Sequence, residues 1–572
     1  MRNRQQIPAT HTTRRYNFTV SRGRIAADGV LRDVILVNEQ FPGPVIEANW
    51  GDWVEVTVNN NISSPGEGTT LHWHGQPLAS TPWEDGVSGV SQCPIAPEQS
   101  FTYRWRAEAY GTSWYHSHYS AQYAGGVAGP IVIHGPSSAP YDIDIGPVML
   151  SDWYHIPYFA IVKDAVGKNL SVIPPVSDSV LINGRGRFDC SKPSYDQNDE
   201  SLSSSVRSNL TWQCIDNAPL SRFRFHSGKV HRLRLINHGA NGVQKFSIDR
   251  HSFTVIANDY VPVVPYSTQV VTLGVGQRAD VLVQGLDDPR ASVWMRTSAP
   301  GGEACGGSNN PHIAAAVYYE KARANANPTS TPDTYYDTTF QCRNDRLDLT
   351  RPSYKMKPSK DAVVENIELT LVVNKTGNFE FRVNGQALLL DEGKPIMEHV
   401  LDGNTTYDKV WNVYEYNTTK HRANSVIFNL TNNMPLVHPF HLHGHEFAVL
   451  SIDGPSKFNS SATPGNTSPT FNAAQVWDGS VQNPNNPMRR DGVLIPPYGY
   501  AAVQIDLNNP GIWPFHCHIA WHLSAGQGFN VVYNVDEMGK AMGQTIPDGW
   551  FEGTCKAWRE WSKNTGQIDA GL

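Results

Sequence analysis

Short stretches of alternating apolar and polar residues, separated by Gly, Pro, Asn and Asp, recur along this chain. Two of them, DVILVNEQFPGPVIEANWGDWVEVTVNN and SFTYRWRAEAYGTSWYHSH, lie between about Tyr16 and His134. Period-two alternation and many β-branched and aromatic residues predict β-strands joined by tight turns. The pattern returns from about Pro147 and again from about Asn366. Helical periodicity is scarce, and one helix is predicted near WFEGTCKAWREWSKN.

Two stretches poor in strand signals divide the chain. GPIVIHGPSSAPYD ends in a Gly/Pro/Ser linker, and ARANANPTSTPDT, around 322–334, is a second linker. We therefore predict three domains, at residues 1–140, 141–335 and 336–572. Many short strands with regular turn signals favour an all-β architecture of sandwiches or barrels.

Composition removes some classes of partner. Hydrophobic residues make up 40% of the chain and aromatics 10%, which suits large buried cores. The net charge of -7 is spread out with no basic run, so nucleic acid is not an expected partner. No apolar run reaches the ~18 residues that a membrane span needs, so no membrane partner is expected.

The most informative stretch is HCHIAWH, residues 516–522. A thiolate with imidazoles is the ligand set of a blue-copper site. On an extended strand, His516 and His518 would point to one face and Cys517 to the other. The stretch therefore predicts two neighbouring metal sites connected through the backbone around Cys517.

Three further His-x-His pairs support this prediction: His72/His74 in LHWHG, His116/His118 in WYHSH and His441/His443 in HPFHLHG. With 21 His in 572 residues, chance gives only about one such pair. All four pairs lie in the first and third predicted domains. We therefore expect a metal cluster between these two domains, with four histidines from each.

The other cysteines point to an oxidising compartment. Six of the seven remain if Cys517 binds metal, which is enough for three disulfides. Ten N-x-S/T sequons also favour a secreted glycoprotein. The start of the chain has no apolar leader, so either this is a mature secreted form with its leader removed and a Met added, or the protein is not secreted; we favour the first.

In this order and at these separations, HWHG, WYHSH, HPFHLHG and HCHIAWH resemble the four copper motifs of multicopper oxidases. The resemblance covers essentially the whole chain. FPGPVIEANWGD, DGVSGVSQCPIAP and YDIDIGPVMLSDWY are similar to ascomycete laccases in particular. The resemblance implies three consecutive cupredoxin-like Greek-key β-barrel domains with few short helices. It also implies four copper ions and O2 as co-substrate.

The family pattern implies a type 1 copper bound by His438, Cys517 and His522, and a type 2 copper bound by His72 and His441. It implies that a type 3 copper pair is bound by His74, His116, His118, His443, His516 and His518. A small aromatic reductant would give single electrons at the exposed ligand His522, and Cys517 would pass them to His516 or His518. Four electrons and four protons would reduce O2 to water. Asp85 in WEDGV matches an acidic residue expected to supply protons; alternatively, it is a turn residue before Gly86.

Two positions depart from the laccase pattern. Gln527, ten residues after Cys517, stands where laccases usually have Leu or Phe. Its carbonyl could be an axial copper ligand, which predicts a low type 1 potential, or the side chain could point away. Asn241 in LINHGANGVQKF falls where laccases often carry a substrate-pocket carboxylate. An Asn cannot act as a base there, and it could also be a turn residue.

The last four residues, Asp569, Ala570, Gly571 and Leu572, resemble a laccase tail that plugs a solvent channel. The alternative is a frayed terminus. Two laccase disulfides match Cys93–Cys555 and Cys305–Cys342, which leaves Cys190 to pair with Cys214.

These observations predict a secreted, monomeric, laccase-like oxidase of phenols, of the kind that acts on lignin-type phenols. One alternative is a biosynthetic phenol-coupling oxidase of pigment or secondary metabolism. A metallo-oxidase acting on Fe(II) or Cu(I) is disfavoured by only nine Met and no Met-rich loop. A copper carrier is disfavoured by the complete ligand set, and a bilirubin oxidase by the lack of an axial Met.

Overall fold

The computed structural model describes residues 7–168, 175–192, 213–300, 305–332, 342–416, 424–454, 475–540 and 543–564. Within these ranges the strands form six sheets, two in each of three consecutive parts of the chain. The prediction of an all-β fold is confirmed.

The first unit contains β1 (Thr13–Ile25), β2 (Arg32–Val37), β3 (Ile46–Asn49), β4 (Trp53–Asn61), β5 (His72–Trp73), β6 (Ser100–Arg106), β7 (Gly111–His116) and β8 (Ala128–His134). Its sheets have the orders β2-β1-β4-β6 and β3-β8-β7-β5.

The second unit contains β9 (Ile143–Trp153), β10 (Ser179–Ile182), β11 (Arg222–Phe225), β12 (Val230–Asn237), β13 (Gln244–Ile248), β14 (Phe253–Asn258), β15 (Val261–Thr268), β16 (Val271–Leu273), β17 (Arg278–Gln284), β18 (Ser292–Pro300) and β19 (Gly307–Tyr319). Its sheets have the orders β10-β9-β12-β17-β14-β15 and β11-β19-β18-β13-β16.

The third unit contains β20 (Ala362–Val373), β21 (Phe379–Val383), β22 (Val413–Tyr416), β23 (Ser425–Asn432), β24 (His438–Leu442), β25 (Phe447–Asp453), β26 (Met488–Arg490), β27 (Gly492–Ile495), β28 (Tyr500–Asp506), β29 (Gly511–Cys517) and β30 (Gly528–Tyr533). Its sheets have the orders β21-β20-β23-β28-β25-β26 and β22-β30-β29-β24-β27.

The three units share one connection. The first long strand of each unit pairs in parallel with a strand that is not its neighbour in sequence: β1 with β4, β9 with β12 and β20 with β23. Most other pairs are antiparallel. Parallel neighbours need a crossover connection rather than a hairpin. In the first unit, β3 supplies it by lying in the opposite sheet. Each unit is therefore a two-layer sandwich with crossing connections.

Burial along the strands follows their position. In β4, every second residue from Val54 to Asn60 is buried, which is the period expected of a strand with one face on the core. In β29, every residue is buried. One continuous apolar cluster contains residues of the first and third units together with some of the second, such as Tyr154 and Ile161, and the second unit also has a core of its own. The first and third units thus share an apolar core that includes residues of β29.

Four α-helices lie in the described ranges: α1 (Tyr158–Ala165), α2 (Ile396–Leu401), α3 (Ala520–Ser524) and α4 (Glu552–Ser562). The last lies where the sequence predicts a helix, and it packs Trp558 against Gly68 of the first unit. Each helix in this part of the chain falls short of the length and apolar character that a bilayer span needs.

Three disulfides are present: Cys93–Cys555 and Cys305–Cys342, which the laccase resemblance implies, and Cys190–Cys214, the pair that was left. The first ties α4 to the first unit across 462 residues of sequence. Cys517 is free and buried. The proposed plug residues, Asp569 to Leu572, lie outside the described residues.

Candidate metal centres

Strand register brings the paired histidines together. In the first unit, β5 and β7 are antiparallel with His72 opposite His116. In the third unit, β24 and β29 are antiparallel with His441 opposite His516. Directly opposed residues in an antiparallel pair have side chains within about 4.5–5.5 Å of each other at Cβ. Each unit therefore presents a compact group of imidazoles at one end of a sheet.

The two groups meet in one buried cluster. His118 Nε2 of the first unit lies 3.4 Å from His516 Nε2 of the third, and His74 Nδ1 lies 3.2 Å from His518 Nε2. The rings of His72 and His443 also stack, with centroids 3.9 Å apart. We call this set the histidine cluster: His72, His74, His116, His118, His441, His443, His516 and His518.

Backbone carbonyls orient four of these rings. The Nδ1 atoms of His72, His116, His441 and His516 lie 2.8–3.0 Å from the carbonyl oxygens of Asp85, Ser117, Asp491 and Cys517, in that order. Each of these Nδ1 atoms must carry the hydrogen, because a carbonyl only accepts. The Nε2 atom of each ring then carries the lone pair and is free to bind a metal.

The arrangement fits a bound cation. His443 donates Nδ1–H to Asp85 Oδ2 at 2.9 Å, so its Nε2 also carries a lone pair. This atom lies 3.0 Å from His516 Nε2, which places two lone pairs face to face. In the described ranges, the buried Nε2 atoms of His72, His116 and His441 have no hydrogen-bond partner. A metal between these nitrogens would satisfy all of them.

Burial favours the neutral form of six imidazoles of the cluster. Burial, and then repulsion from neighbouring imidazoles, lowers the pKa of His516 to about 3. The same causes, in the same order, hold the pKa values of five others well below their usual range: His74, His116, His118, His443 and His518. Neutral imidazole is the form that binds copper.

Two aspartates link the units around the cluster in matching ways. The Asp85 carbonyl binds His72 of its own unit, while its carboxylate binds His443 of the third unit. The Asp491 carbonyl binds His441 of its own unit, while its carboxylate lies 3.3 Å from His74 Nε2 of the first unit. Each aspartate therefore holds one histidine from each side of the interface. Both side chains are fully buried.

A second centre lies beside the cluster. Cys517 Sγ is 3.6 Å from His438 Nδ1 and 3.5 Å from His522 Nδ1, and the two nitrogens are 3.2 Å apart. We call His438, Cys517 and His522 the cysteine site. Burial raises the pKa of the Cys517 thiol, so a cation is needed to favour the thiolate. One sulfur and two imidazoles are the equatorial ligands of blue copper.

The two centres are joined through β29 and α3. His516 and Cys517 end β29, and α3 starts at Ala520 and carries His522. The HCHIAWH stretch is thus in a β-strand only as far as Cys517. The helical turn that follows places His522 next to the sulfur of Cys517. A continued strand would have placed His522 far from that sulfur.

Gln527 lies next to the cysteine site. Its backbone carbonyl accepts from Cys517 N at 3.0 Å, and its N–H donates to His522 O at 2.9 Å. Its side chain is fully buried, and neither Oε1 nor Nε2 has a hydrogen-bond partner within the described ranges. Burial lowers the pKa of His438 to about 3, and an interaction with the Gln527 side chain opposes that shift. The carboxamide thus lies close to the imidazoles.

His522 is less exposed than expected. Its side chain is only 2% exposed, so the expectation of an exposed ligand is wrong for this structure. The cover is the Phe381 ring, whose centroid lies 4.3 Å from that of the imidazole.

Asn241 lies in a loop that contacts α3. Its Nδ2 donates to the carbonyl of Pro175 at 3.1 Å. The same loop is held by buried Asp152, whose carboxylate accepts N–H bonds of 2.6–2.8 Å from Ala240, Asn241 and Gly242. Ala520 N donates to Ala240 O at 2.9 Å, which fixes the loop to the helix of His522. The Asp152 carboxylate, which lies in this region, therefore accepts hydrogen bonds from backbone N–H groups.

The sequence analysis missed Asp152 and Asp491, and also Arg278, whose guanidinium donates to both carboxylate oxygens of Asp491. Asp491 follows two arginines in MRRDG, and a buried strand carrying such charges signals a polar network. Asp491 lies beside His74, which is hundreds of positions away in the sequence, so the local sequence pattern does not show this contact.

Comparison with known proteins agrees with this geometry. Three sequence models of the multicopper oxidase family match residues 19–138, 144–322 and 387–537. A laccase of Cryphonectria parasitica is 38% identical over 91% of this chain and 82% of its own length. Laccase-1 of Melanocarpus albomyces is 37% identical over 99% of this chain and 85% of its own length.

The fold agrees as well. The crystal structure of the Botrytis aclada laccase superposes with a TM-score of 0.82 at 31% identity, covering 100% of this chain and 96% of the other. The chain belongs to the multicopper oxidase family, and its three units are cupredoxin-like domains. Within that family it is a laccase-like oxidase that uses four copper ions, one type 1, one type 2 and a type 3 pair, with O2 as oxidant.

Proposed function

We propose that this oxidase, which is similar to laccases, takes single electrons from phenols and related aromatic compounds. The observation that carries this proposal is the pairing of a complete histidine cluster with a cysteine site one residue away. Such an arrangement suits collecting electrons singly at one place and using them together at another. The absence of a Met-rich loop from the sequence gives no support to a metal-ion reductant.

The ligands divide as follows in this proposal. His438, Cys517 and His522 hold the type 1 copper, and His72 and His441 hold the type 2 copper. The type 3 pair is held by His74, His116, His118, His443, His516 and His518. Short contacts between nitrogens that carry lone pairs, such as the 3.0 Å between His443 and His516, support this division.

The residues around the coppers have separate tasks. When bound, the coppers accept four electrons one at a time and reduce O2 to two waters. Cys517 lies between His516 and His518, so the backbone gives electrons a covalent route from the cysteine site to the histidine cluster. Asp85 touches His72 and His443 and supplies protons there. A small cavity, lined in part by His118, His516 and Leu523, borders the histidine cluster.

The substrate binds at the surface near His522. The contact of the 239–242 loop with α3 supports a place for Asn241 in that pocket. Because its amide already binds Pro175 O, we propose that Asn241 shapes the pocket and does not remove the phenol proton. The deprotonation then falls to water or to the substrate's own ionisation.

The domain limits and setting complete the proposal. Domains at 1–140, 141–335 and 336–572 accommodate the three pairs of sheets. Three disulfides and exposed sequon residues such as Asn61 and Asn404 support a secreted, glycosylated protein.

One experiment tests the function. Copper-loaded protein is supplied with a diphenol, an aromatic amine, ascorbate, bilirubin or Fe(II), while oxygen uptake and the absorption spectrum are recorded together. We expect uptake of one O2 for every four electrons taken from the aromatic reductants, and bleaching of the blue band under anaerobic conditions. Cys517→Ser is the control and should abolish both signals. Oxidation of Fe(II) without oxidation of aromatics would contradict the proposal.

A further inference from the structure

The second domain supplies no copper ligand, yet one of its residues reaches the histidine cluster. Arg278 begins β17 and is fully buried. Its Nη1 and Nη2 donate to Asp491 Oδ1 and Oδ2 at 2.6 and 2.7 Å, a bidentate pair across the interface with the third domain. Such pairs fix the orientation of a carboxylate as well as its charge.

The same arginine also contacts the first domain. Its Nε donates to the carbonyl of Thr112 at 3.2 Å, and Thr112 lies in β7, the strand that ends at His116. On its own domain, its backbone N–H donates to Asp259 Oδ1 at 2.9 Å. Its Nη1 also donates to the Gly276 carbonyl of its own domain at 3.2 Å, so the side chain contacts all three domains at the edge of the cluster.

The backbone just before Arg278 packs closely against the histidine cluster. Gly276 has a φ of +84°, and a Cβ at this position would lie 2.9 Å from His74 Cε1 and 3.1 Å from His518 Cδ2. A larger residue would have to displace these rings and would also be strained in this conformation. The segment from Gly276 to Arg278 thus forms a wall of the histidine cluster.

The two aspartates beside the histidine cluster differ in whether an arginine binds their carboxylates. The Asp491 carboxylate lies between Arg278 on one side and His74 and His441 on the other, at 3.3 and 3.5 Å. The Asp85 carboxylate instead pairs with histidines: His443 at 2.9 Å and His72 at 3.2 Å. An arginine therefore fixes the orientation of the Asp491 carboxylate, whereas histidines alone pair with Asp85 in the part of the chain that the structure describes.

We propose that Arg278 is a positioning residue of the second domain that, through Asp491, sets the geometry of His74 and His441 and so the copper occupancy of the histidine cluster. The inference rests on the ligand assignment proposed above. The cysteine site lies wholly in the third domain, so it reports independently on whether the protein is folded and loaded.

The test compares two buried arginines of the second domain. Arg278→Lys removes the bidentate pair but keeps the charge. Arg234→Lys is the matched control, because Arg234 is equally buried and binds Asp144 through Nε and Nη2 at 3.2 and 2.7 Å. Purified holoprotein is equilibrated with a copper chelator. Copper per chain, the type 2 EPR signal and the blue type 1 band are then measured on the same sample.

We expect Arg278→Lys to keep the blue band and to lose the type 2 signal at about 10- to 100-fold lower chelator concentration than wild type, the usual effect of removing such a support. Asp491→Asn should do the same, and Arg234→Lys should match wild type. Wild-type type 2 signals and copper content in Arg278→Lys would overturn the proposal. So would equal loss of the type 1 and type 2 signals in both Arg278→Lys and Asp491→Asn, because that result means a general folding defect. If Arg278→Lys yields no folded protein, Asp491→Asn alone decides between these outcomes.

Discussion

At the scale of single residues, Gln527 is the main difference between this cysteine site and the common laccase pattern. A buried carboxamide with unused hydrogen-bonding atoms, close to His438 and His522, is placed to offer its carbonyl oxygen as an axial ligand. An oxygen donor stabilises Cu(II) more than Cu(I). We therefore expect Gln527→Leu to raise the type 1 potential by about 60 mV or more, a tenfold change in a one-electron equilibrium.

Redox titration of the blue band measures this change. Gln244→Leu is a suitable control, because it is the same substitution at a fully buried glutamine of the second domain. An unchanged or lowered potential in Gln527→Leu would rule out axial ligation. A changed EPR spectrum of the type 1 copper would accompany the expected result.

Asp85 is the second residue whose role can be isolated. Its Oδ2 lies 2.9 Å from His443 Nδ1 and its Oδ1 lies 3.2 Å from His72 Nδ1. We expect Asp85→Asn to lower turnover with O2 about 10- to 100-fold and to alter its pH profile, as is usual for a group that supports a metal site. Anaerobic reduction of the type 1 copper by a diphenol should be unaffected, because that step does not involve Asp85.

Its neighbour provides the control. Burial holds the pKa of Glu84 well above its usual range, which favours the neutral carboxyl that Gln imitates. Glu84→Gln should therefore keep wild-type turnover. If Asp85→Asn or Asp85→Ala kept both turnover and pH profile, Asp85 would not be the proton donor.

At the scale of elements, the sequence predicts what depends on local pattern. The alternation that predicts β4 and the apolar stretch of β29 are local, and so are the four His-x-His pairs on or beside short strands. The turn after Cys517 was not predicted, because it needs Ala520 N to bind Ala240 O in another domain. Asp491 and Arg278 were missed for the same reason: 213 residues separate them in sequence.

The elements also show how the second domain, which has no copper ligands, supports the two metal centres. The 239–242 loop, held by Asp152, supports α3 from one direction. The start of β17, with Arg278, supports the histidine cluster from another. The second domain therefore acts through the placement of short segments, and the sequence of that domain alone contains no ligand motif that would indicate it.

At the scale of the whole molecule, the histidine cluster joins two domains that are far apart in sequence. His72, His74, His116 and His118 come from the first domain, and the other four come from the third. Bound copper should therefore stabilise the association of these domains. Binding to the folded state alone adds about 4 kcal/mol when free metal exceeds its dissociation constant 1,000-fold. Removal of copper should lower the melting temperature by several degrees.

Calorimetry of three samples distinguishes this effect from loss of the type 1 copper. Wild-type holoprotein should unfold at the highest temperature. Cys517→Ser, which keeps the histidine cluster, should unfold only slightly lower, because the cysteine site lies within one domain. Chelated wild-type protein should unfold lowest, with separate transitions for the first and third domains, and added copper should restore the single transition. Equal melting of chelated protein and holoprotein would mean that the disulfide Cys93–Cys555 and the shared apolar core already join the two domains fully.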